Sequence, residues 1–258
     1  MGVFREKKLK RIEAEKKKRE ERLGLIPASV VESSHLFVPT SSPNNESMPG
    51  IIAITISVNY SRKLEYIAEK NAIFFKKWLV VTSEEDTLTQ EVCKKYPVIT
   101  TMYHNFKHNK AVFDKGGALR MAQEAATIEY PDDYILILDS DIVLPPNFGD
   151  ILNAEGKLKD NTIYGTEERR DFYKYSDLIS EKNYKRYAFS TACVGYFTLY
   201  KVSNKKFYKH SYNCSTCDVE FRDIFRRKSN MRGLIVKHLG HDSVNWNGVN
   251  REDFEWEK

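Results

Sequence analysis

Residues 134 to 141, YILILDSD, constrain this chain more than any other stretch. Tyr134, Ile135, Leu136, Ile137 and Leu138 run without polar alternation, which reads as a strand buried on both faces of an α/β sheet. The run stops at Asp139 and Asp141, at what would be the carboxyl end of that strand, where open sheets collect ligands. Two carboxylates placed there repel each other and lose hydration, a cost that a positive partner offsets. A hard divalent cation such as Mg2+ or Mn2+ suits them, because it prefers oxygen ligands and bridges to phosphate. One carboxylate would then serve the metal and the other a ribose or a water. The alternative is an Asp-Ser-Asp turn capping its own backbone, with Pro145 and Pro146 ending the segment.

The surrounding pattern agrees with a sheet of this kind. IIAITISV (51–58), WLVVT (78–82), VITTMY (98–103) and the YILIL run read as strands. Between them, helical spacing runs through Leu64, Ile67, Phe74 and Phe75 (62–77), then through TLTQEVCKKY, stopped by Pro97, and KGGALRMAQEAATI (115–128). Alternating strands and crossover helices predict a mixed, mostly parallel Rossmann-like sheet with helices on both faces. Beyond the DSD loop the pattern is less regular. A charged, tyrosine-rich segment spans 165 to 188, AFSTACVGYFTLYKV (188–202) reads as strand, a helix covers about 217 to 228, and RGLIVKHLGH is a last strand before DSVNWNGVNR.

Charge divides the chain unevenly. Residues 1 to 23 hold ten Lys or Arg against five Glu, which leaves 31 basic and 31 acidic residues in the remainder. The first 23 residues read as a charged helical tail whose apolar stripe is too thin to seal against a core; its basic charge suits weak contact with an acidic membrane surface or a nucleic acid, but a tail with no binding role is the favoured reading. Residues 24 to 49, with Pro27, Pro39, Pro43, Pro49 and the run SSPNNES, read as a linker. A single domain over 50–258 is expected, with a nucleotide half to about 145 and an acceptor half from 146. No stretch reaches the roughly 18 apolar residues of a membrane span, and no apolar signal core begins the chain, so a cytoplasmic location is expected. Cys93, Cys193, Cys214 and Cys217 lack a second metal-binding pair and read as free thiols. G-x-G-x-x-G after the first strand and G-x-x-x-x-G-K-[ST] are both missing, which argues against dinucleotide oxidoreductases and P-loop NTPases.

Several ordered pieces together resemble the GT-A glycosyltransferases, over about residues 51 to 251. They are ISVNYSRKLEYIAEKN followed by WLVVTSEED, FDKGGALRMA, LDSDIVLPPNF, GYFTLYK, CDVEFRDIF, and KHLGH with NWNG. The resemblance implies a hexosyltransferase-like enzyme that moves a sugar from a nucleotide-diphosphate sugar, with UDP favoured over GDP, to a glycan or other hydroxyl acceptor. It implies Mn2+ or Mg2+ on the donor diphosphate. Asp141 is then the direct ligand, while Asp139 acts through water or on the ribose. His238 is the first candidate for a further ligand, and His241 the reserve. Lys115, after a loop and before Gly116 and Gly117, suits a phosphate. Ser57, Asn59, Tyr60, Asp86 and Ser140 are placed at the nucleotide by position, and Asn245, Trp246, Asn247 and Arg251 over the diphosphate.

An inverting reaction needs a carboxylate to deprotonate the acceptor hydroxyl. Asp218 is the first choice and Glu220 the second; a capping role for Asp218 is the structural alternative, and Cys217 stands where the family's paired acid would be. Two other readings compete. One is a nucleotidyltransferase, against which ISVNYSRK has no glycine; the other is a non-catalytic module that binds a glycan or a partner. Nucleic acid is not expected, because the body has no basic and aromatic stripe.

Overall fold

The computed structural model describes residues 49–192, 195–214, 216–241 and 253–257. The apolar runs of the first half form β1 (Ile51–Ile56), β2 (Lys77–Thr82), β3 (Ile99–Tyr103) and β4 (Tyr134–Leu138). These four are parallel, in the order β3-β2-β1-β4. Helices α1 (Ser61–Asn71), α2 (Thr87–Lys94) and α3 (Lys115–Glu129) make the crossovers.

Strand parity splits the core into two layers. Ile51, Ala53, Trp78, Val80, Tyr134, Leu136 and Leu138 pack with Leu64 and Ile67 of α1 and Val92 of α2. Their neighbours in sequence, Ile52, Ile54, Leu79, Val81, Ile135 and Ile137, pack with Ala118, Leu119 and Ala122 of α3. Both faces are thus covered, which is why these strands are continuously apolar. Each fully buried large side chain contributes about 1.5–3 kcal/mol. Trp78, with no exposure, also satisfies its indole by donating from Nε1 to Thr55 Oγ1 at 2.9 Å.

The second half continues with β5 (Ile142–Val143), α4 (Phe148–Glu155), β6 (Thr162–Phe172), α5 (Tyr175–Ser180), β7 (Lys185–Ala188), β8 (Phe197–Lys201), α6 (Cys217–Asp223) and β9 (Arg227–Leu239). The sheet extends from β4 through β8, β6 and β9 to β5, with β7 beside β6. β8 runs antiparallel to β4 and β6, β5 antiparallel to β9, and β6 parallel to β9. The result is a mixed, Rossmann-like sheet.

Several boundaries differ from the sequence reading. The first helix stops at Asn71 rather than running to 77, and a 3-10 turn follows over Ala72–Phe74. The charged segment from 165 is mostly strand: β6 buries Glu168, Arg169 and Asp171. It does so by pairing them, Glu168 with Arg170 Nε at 2.6 Å and Arg186 Nε at 2.5 Å, and Asp171 with Arg169 Nε at 2.8 Å. Charge compensation thereby permits a buried strand that local polarity argues against. The stretch 188–202 is not one strand, since β7 ends at Ala188 and β8 begins at Phe197. α6 ends at Asp223, which lets β9 start at Arg227. Among the described residues no helix is long and apolar enough to cross a membrane, and Cys93, Cys214 and Cys217 are free thiols.

Candidate active site

β4 delivers Asp139 and Asp141 to two different flanks of the sheet. Ile135 and Ile137 face the α3 layer, and the β4–β8 ladder continues one step further, with Asp139 N–H donating to Tyr196 O at 3.0 Å. Asp139 accordingly emerges on the α3 side, where Lys115 opens the helix. Lys115 Nζ lies 3.6 Å from Asp139 Oδ1 and 3.0 Å from Asp218 Oδ2, and donates to Gly195 O at 3.3 Å. Tyr208 O–H donates to the other Asp218 oxygen at 2.9 Å. One ammonium therefore ties together a carboxylate from β4 and one from α6. Asp218 does not cap its helix: Thr216 is the N-cap residue of α6, and the Asp218 carboxylate is committed to Lys115 and Tyr208.

Asp141 lies on the other flank. β5 pairs with β9 so that Ile142 stands opposite His238, and Leu239 N–H donates to Asp141 O at 2.9 Å. His238 Nε2 is 3.5 Å from Asp141 Oδ2. The parallel β6–β9 register places Asp171 opposite His238, with Nδ1 3.1 Å from Asp171 Oδ1. The chain of charges ends at Arg169, whose guanidinium lies 4.7 and 4.9 Å from the ring centroids of Tyr187 and Tyr196.

These surroundings push the two aspartates apart. Burial raises the Asp139 carboxyl to about 7, against the pull of Lys115, and Asp141 and Asp218 push the same way as burial. Burial would raise Asp141 too, but His238, then Lys63 and Arg169, hold it below the usual carboxylate range. Burial opposes the charge on His238, yet Asp141 and Asp171 raise it to about 9. On the α3 flank, burial and then Asp218 push the Cys217 thiol up to about 12, so it stays protonated and is no nucleophile at neutral pH.

Buried side chains that local pattern does not mark hold both flanks in place. Asn71 has no exposure; its Nδ2 donates to Ile142 O at 2.8 Å and its Oδ1 accepts from Leu144 N at 3.0 Å, clipping the loop after Asp141 to the end of α1. Gln123 acts likewise on α3, donating to Tyr200 Oη at 2.6 Å and accepting from Tyr208 N at 2.9 Å. Asp114 caps α3 through Gly117 N at 2.9 Å, and accepts from Ser211 N at 2.8 Å. Its other oxygen lies 2.7 Å from His210 Nδ1 and 3.3 Å from His104 Nε2. Lys63, buried near Asp141, pairs with Asp253 at 2.7 Å, and Asp253 also accepts from His241 N at 2.8 Å.

The remaining sequence candidates divide. Tyr60 is buried, and its hydroxyl is pushed upward by burial first and by Asp141 next, so it belongs near the pair. Ser57 is fully buried, and its hydroxyl has no hydrogen-bond partner among the described residues. Asn59 has φ 64° and donates its N–H to Asp86 Oδ2 at 2.6 Å. Asp86 also receives Thr82 Oγ1 at 3.2 Å and Thr89 N at 3.2 Å, so its carboxylate closes the loop and caps α2. Ser140 is buried between the two aspartates. Gly116 is small because a Cβ would collide with the Lys209 carbonyl, and its N–H is taken by Ser211 Oγ at 3.0 Å, so packing rather than approach to a phosphate explains the glycine. His241 follows Gly240 (φ 117°), and its ring stacks on Tyr173 at 4.0 Å. Glu220 is exposed and receives Thr216 Oγ1 at 3.2 Å, outside the Lys115 cluster. Asn245, Trp246, Asn247 and Arg251 lie outside the described residues.

Glu220 lines a groove of about 390 Å3 between residues 207–213 and α6, together with Tyr208, His210, Tyr212, Cys217 and Ile224. Tyr208 and Cys217 connect this groove to Asp218. Among the described residues no three His, Cys, Asp or Glu side chains enclose a metal by themselves. The donor set still fits Mg2+ or Mn2+, which are commonly held by one or two carboxylates and completed by substrate phosphates and water. Asp141 and His238, with Asp139 adjacent, are such a set.

No family model and no curated protein matches the chain. Among solved structures it is similar to a mannosyltransferase from Pyrobaculum calidifontis in complex with GDP-Man and Mn2+ (11% identity, TM-score 0.49), over 88% of this chain. The chain spans 64% of the length of that mannosyltransferase. It is also similar to glucosyl-3-phosphoglycerate synthase from Mycobacterium tuberculosis in complex with Mg2+ and UDP (11%, 0.46, over 75% of this chain and 72% of that one). A third is a 4-diphosphocytidyl-2C-methyl-D-erythritol synthase (14%, 0.45, over 72% and 89%).

Proposed function

We propose that this chain is a metal-dependent glycosyltransferase that moves a sugar from a nucleotide-diphosphate sugar, with a UDP-sugar favoured, to a hydroxyl acceptor with inversion. The observation that carries this reading is the divided surrounding of the aspartate pair. One flank presents a carboxylate and an imidazole suited to a cation, Asp141 with His238, and on the other flank one lysine joins Asp139 to Asp218.

In this reading Asp141 and His238 would hold Mn2+ or Mg2+, with Asp139 beside them. Such an ion, when bound, neutralises charge that develops on a leaving diphosphate. Lys115 adds a fixed positive charge between the donor and acceptor sides and keeps Asp139 and Asp218 from repelling each other. Asp218 takes the proton of the acceptor hydroxyl, oriented by Tyr208 and Lys115. The acceptor enters through the groove beside α6, whose wall includes Glu220.

Isothermal titration with UDP-glucose, UDP-galactose and GDP-mannose, each with and without Mn2+, tests the reading. Metal-dependent binding to one nucleotide class, lost in Asp141→Ala, is expected. Binding to none of the three donors would overturn it.

A further inference from the structure

On the basis of that reading, we infer that Asp171 is a positioning residue for the metal site: it fixes the His238 imidazole from behind, with Nδ1 toward itself and Nε2 toward Asp141. The argument begins with burial. Asp171 has no exposed surface and lies near the end of β6, a costly place for a carboxylate unless it is paired. Arg169, from the same strand, pairs with both of its oxygens, at 2.8 Å and 3.2 Å. This pairing compensates the buried carboxylate and fixes its orientation.

The register then decides what Asp171 faces. β6 and β9 are parallel, with Asp171 opposite His238, so the two side chains leave the sheet on the same face. Nδ1 approaches Asp171 Oδ1 to 3.1 Å, within ion-pair distance though bent from a linear hydrogen bond. The opposite ring nitrogen is the one 3.5 Å from Asp141. A neutral imidazole has one N–H and one lone pair, and the partner of the N–H determines which nitrogen is left to bind a metal. With Asp171 facing Nδ1, a cation binding on the Asp141 side would displace the Nε2 proton and leave the remaining N–H on Nδ1, toward Asp171. β5 pairing fixes the other member of the set, because Leu239 N–H holds the Asp141 carbonyl. Strand pairing alone thereby sets both donors relative to each other.

The test is a Mn2+ titration, alone and with UDP or GDP, of the wild type, Asp171→Asn, His238→Ala and the double variant. Loss of a partner that orients a histidine ligand typically weakens metal affinity by about 10–100-fold, and that loss is expected for Asp171→Asn. The loss should vanish in the His238→Ala background, since Asp171 acts only through that ring. Equal losses in both backgrounds would overturn the inference, as would wild-type affinity in Asp171→Asn. A wild type that binds no Mn2+ under any of these conditions overturns the functional reading and this inference with it. Should Asp171→Asn fail to fold, 15N chemical shifts of the His238 ring in the Mg2+-loaded wild type decide the matter. A proton on Nδ1 supports the inference, and a proton on Nε2 defeats it.

Discussion

The two flanks of the aspartate pair are built from opposite materials. On the Asp139 side, charge is carried by helix ends: Lys115 opens α3 and Asp218 sits in the first turn of α6. On the Asp141 side, charge is carried by strands: Arg169 and Asp171 on β6, and His238 on β9. Asp139 is the most open of these groups, its side chain 36% exposed against 15% for Asp141 and none for Asp171. A helix end can shift its side chains without breaking a ladder, whereas a strand pair holds its register by backbone bonds on both sides. The strand flank thus suits a fixed ion site, and the helix flank suits groups that meet a changing substrate.

If the flanks divide the work in this way, their variants should separate. The largest expected effect is on turnover. Asp218→Asn should lower sugar transfer by about 10²–10⁴-fold, the range for removal of a general base, with Mn2+ and nucleotide affinity nearly unchanged. A comparable fall in metal affinity would break the division. Next is Lys115→Met, which leaves two carboxylates near each other without their shared cation. A stability loss of about 3 kcal/mol in urea unfolding is expected, partly recovered by adding Asp139→Asn.

The strand flank has its own, smaller test. Asn71→Ala strips partners from Ile142 O and Leu144 N, and about 1–3 kcal/mol of stability should go with them. Mn2+ affinity should fall in the same variant while the Lys115–Asp218 flank is untouched, a prediction that compares the two titrations directly. The smallest effect concerns acid. Burial opposes the charge on Asp114, yet the Ser211 amide, His210 and the Gly117 amide hold its carboxyl below its usual range. A depressed carboxyl contributes stability that is present above its unfolded value of about 4 and is lost as pH falls through the folded one. The stability gap between wild type and Asp114→Asn, about 1 kcal/mol at neutral pH, should therefore close below about pH 4 in thermal melts.

How far each flank could be read from the sequence follows from the same difference in materials. β1 to β4 bury both faces, so their apolar runs show directly, and the carboxyl end of β4 marks Asp139 and Asp141. Lys115, Asp218 and His238 lie beside recognisable element ends, and the structure brings all three to the pair. Asp171 was not visible. Its partner is His238 across β9, and the run Glu168-Arg169-Arg170-Asp171 looks like solvated surface until that pairing is known. Asn71, Gln123 and Lys63 were hidden for a related reason, because a polar residue on a helix looks the same whether it faces water or clips a distant backbone. In the other direction, Gly116 and Asp86 looked like ligand-binding positions and turned out to be occupied by local packing and capping.

The sequence by itself determined the parallel first half of the sheet and the place where its ligand end would be, since both depend on local periodicity and on where apolar runs stop. Only the tertiary structure decided which carboxylate faces which partner. That choice depends on strand register and on pairings such as Asp171 with His238 and Lys115 with Asp218. Those pairings join residues 67 and 103 positions apart, beyond the reach of any periodic pattern.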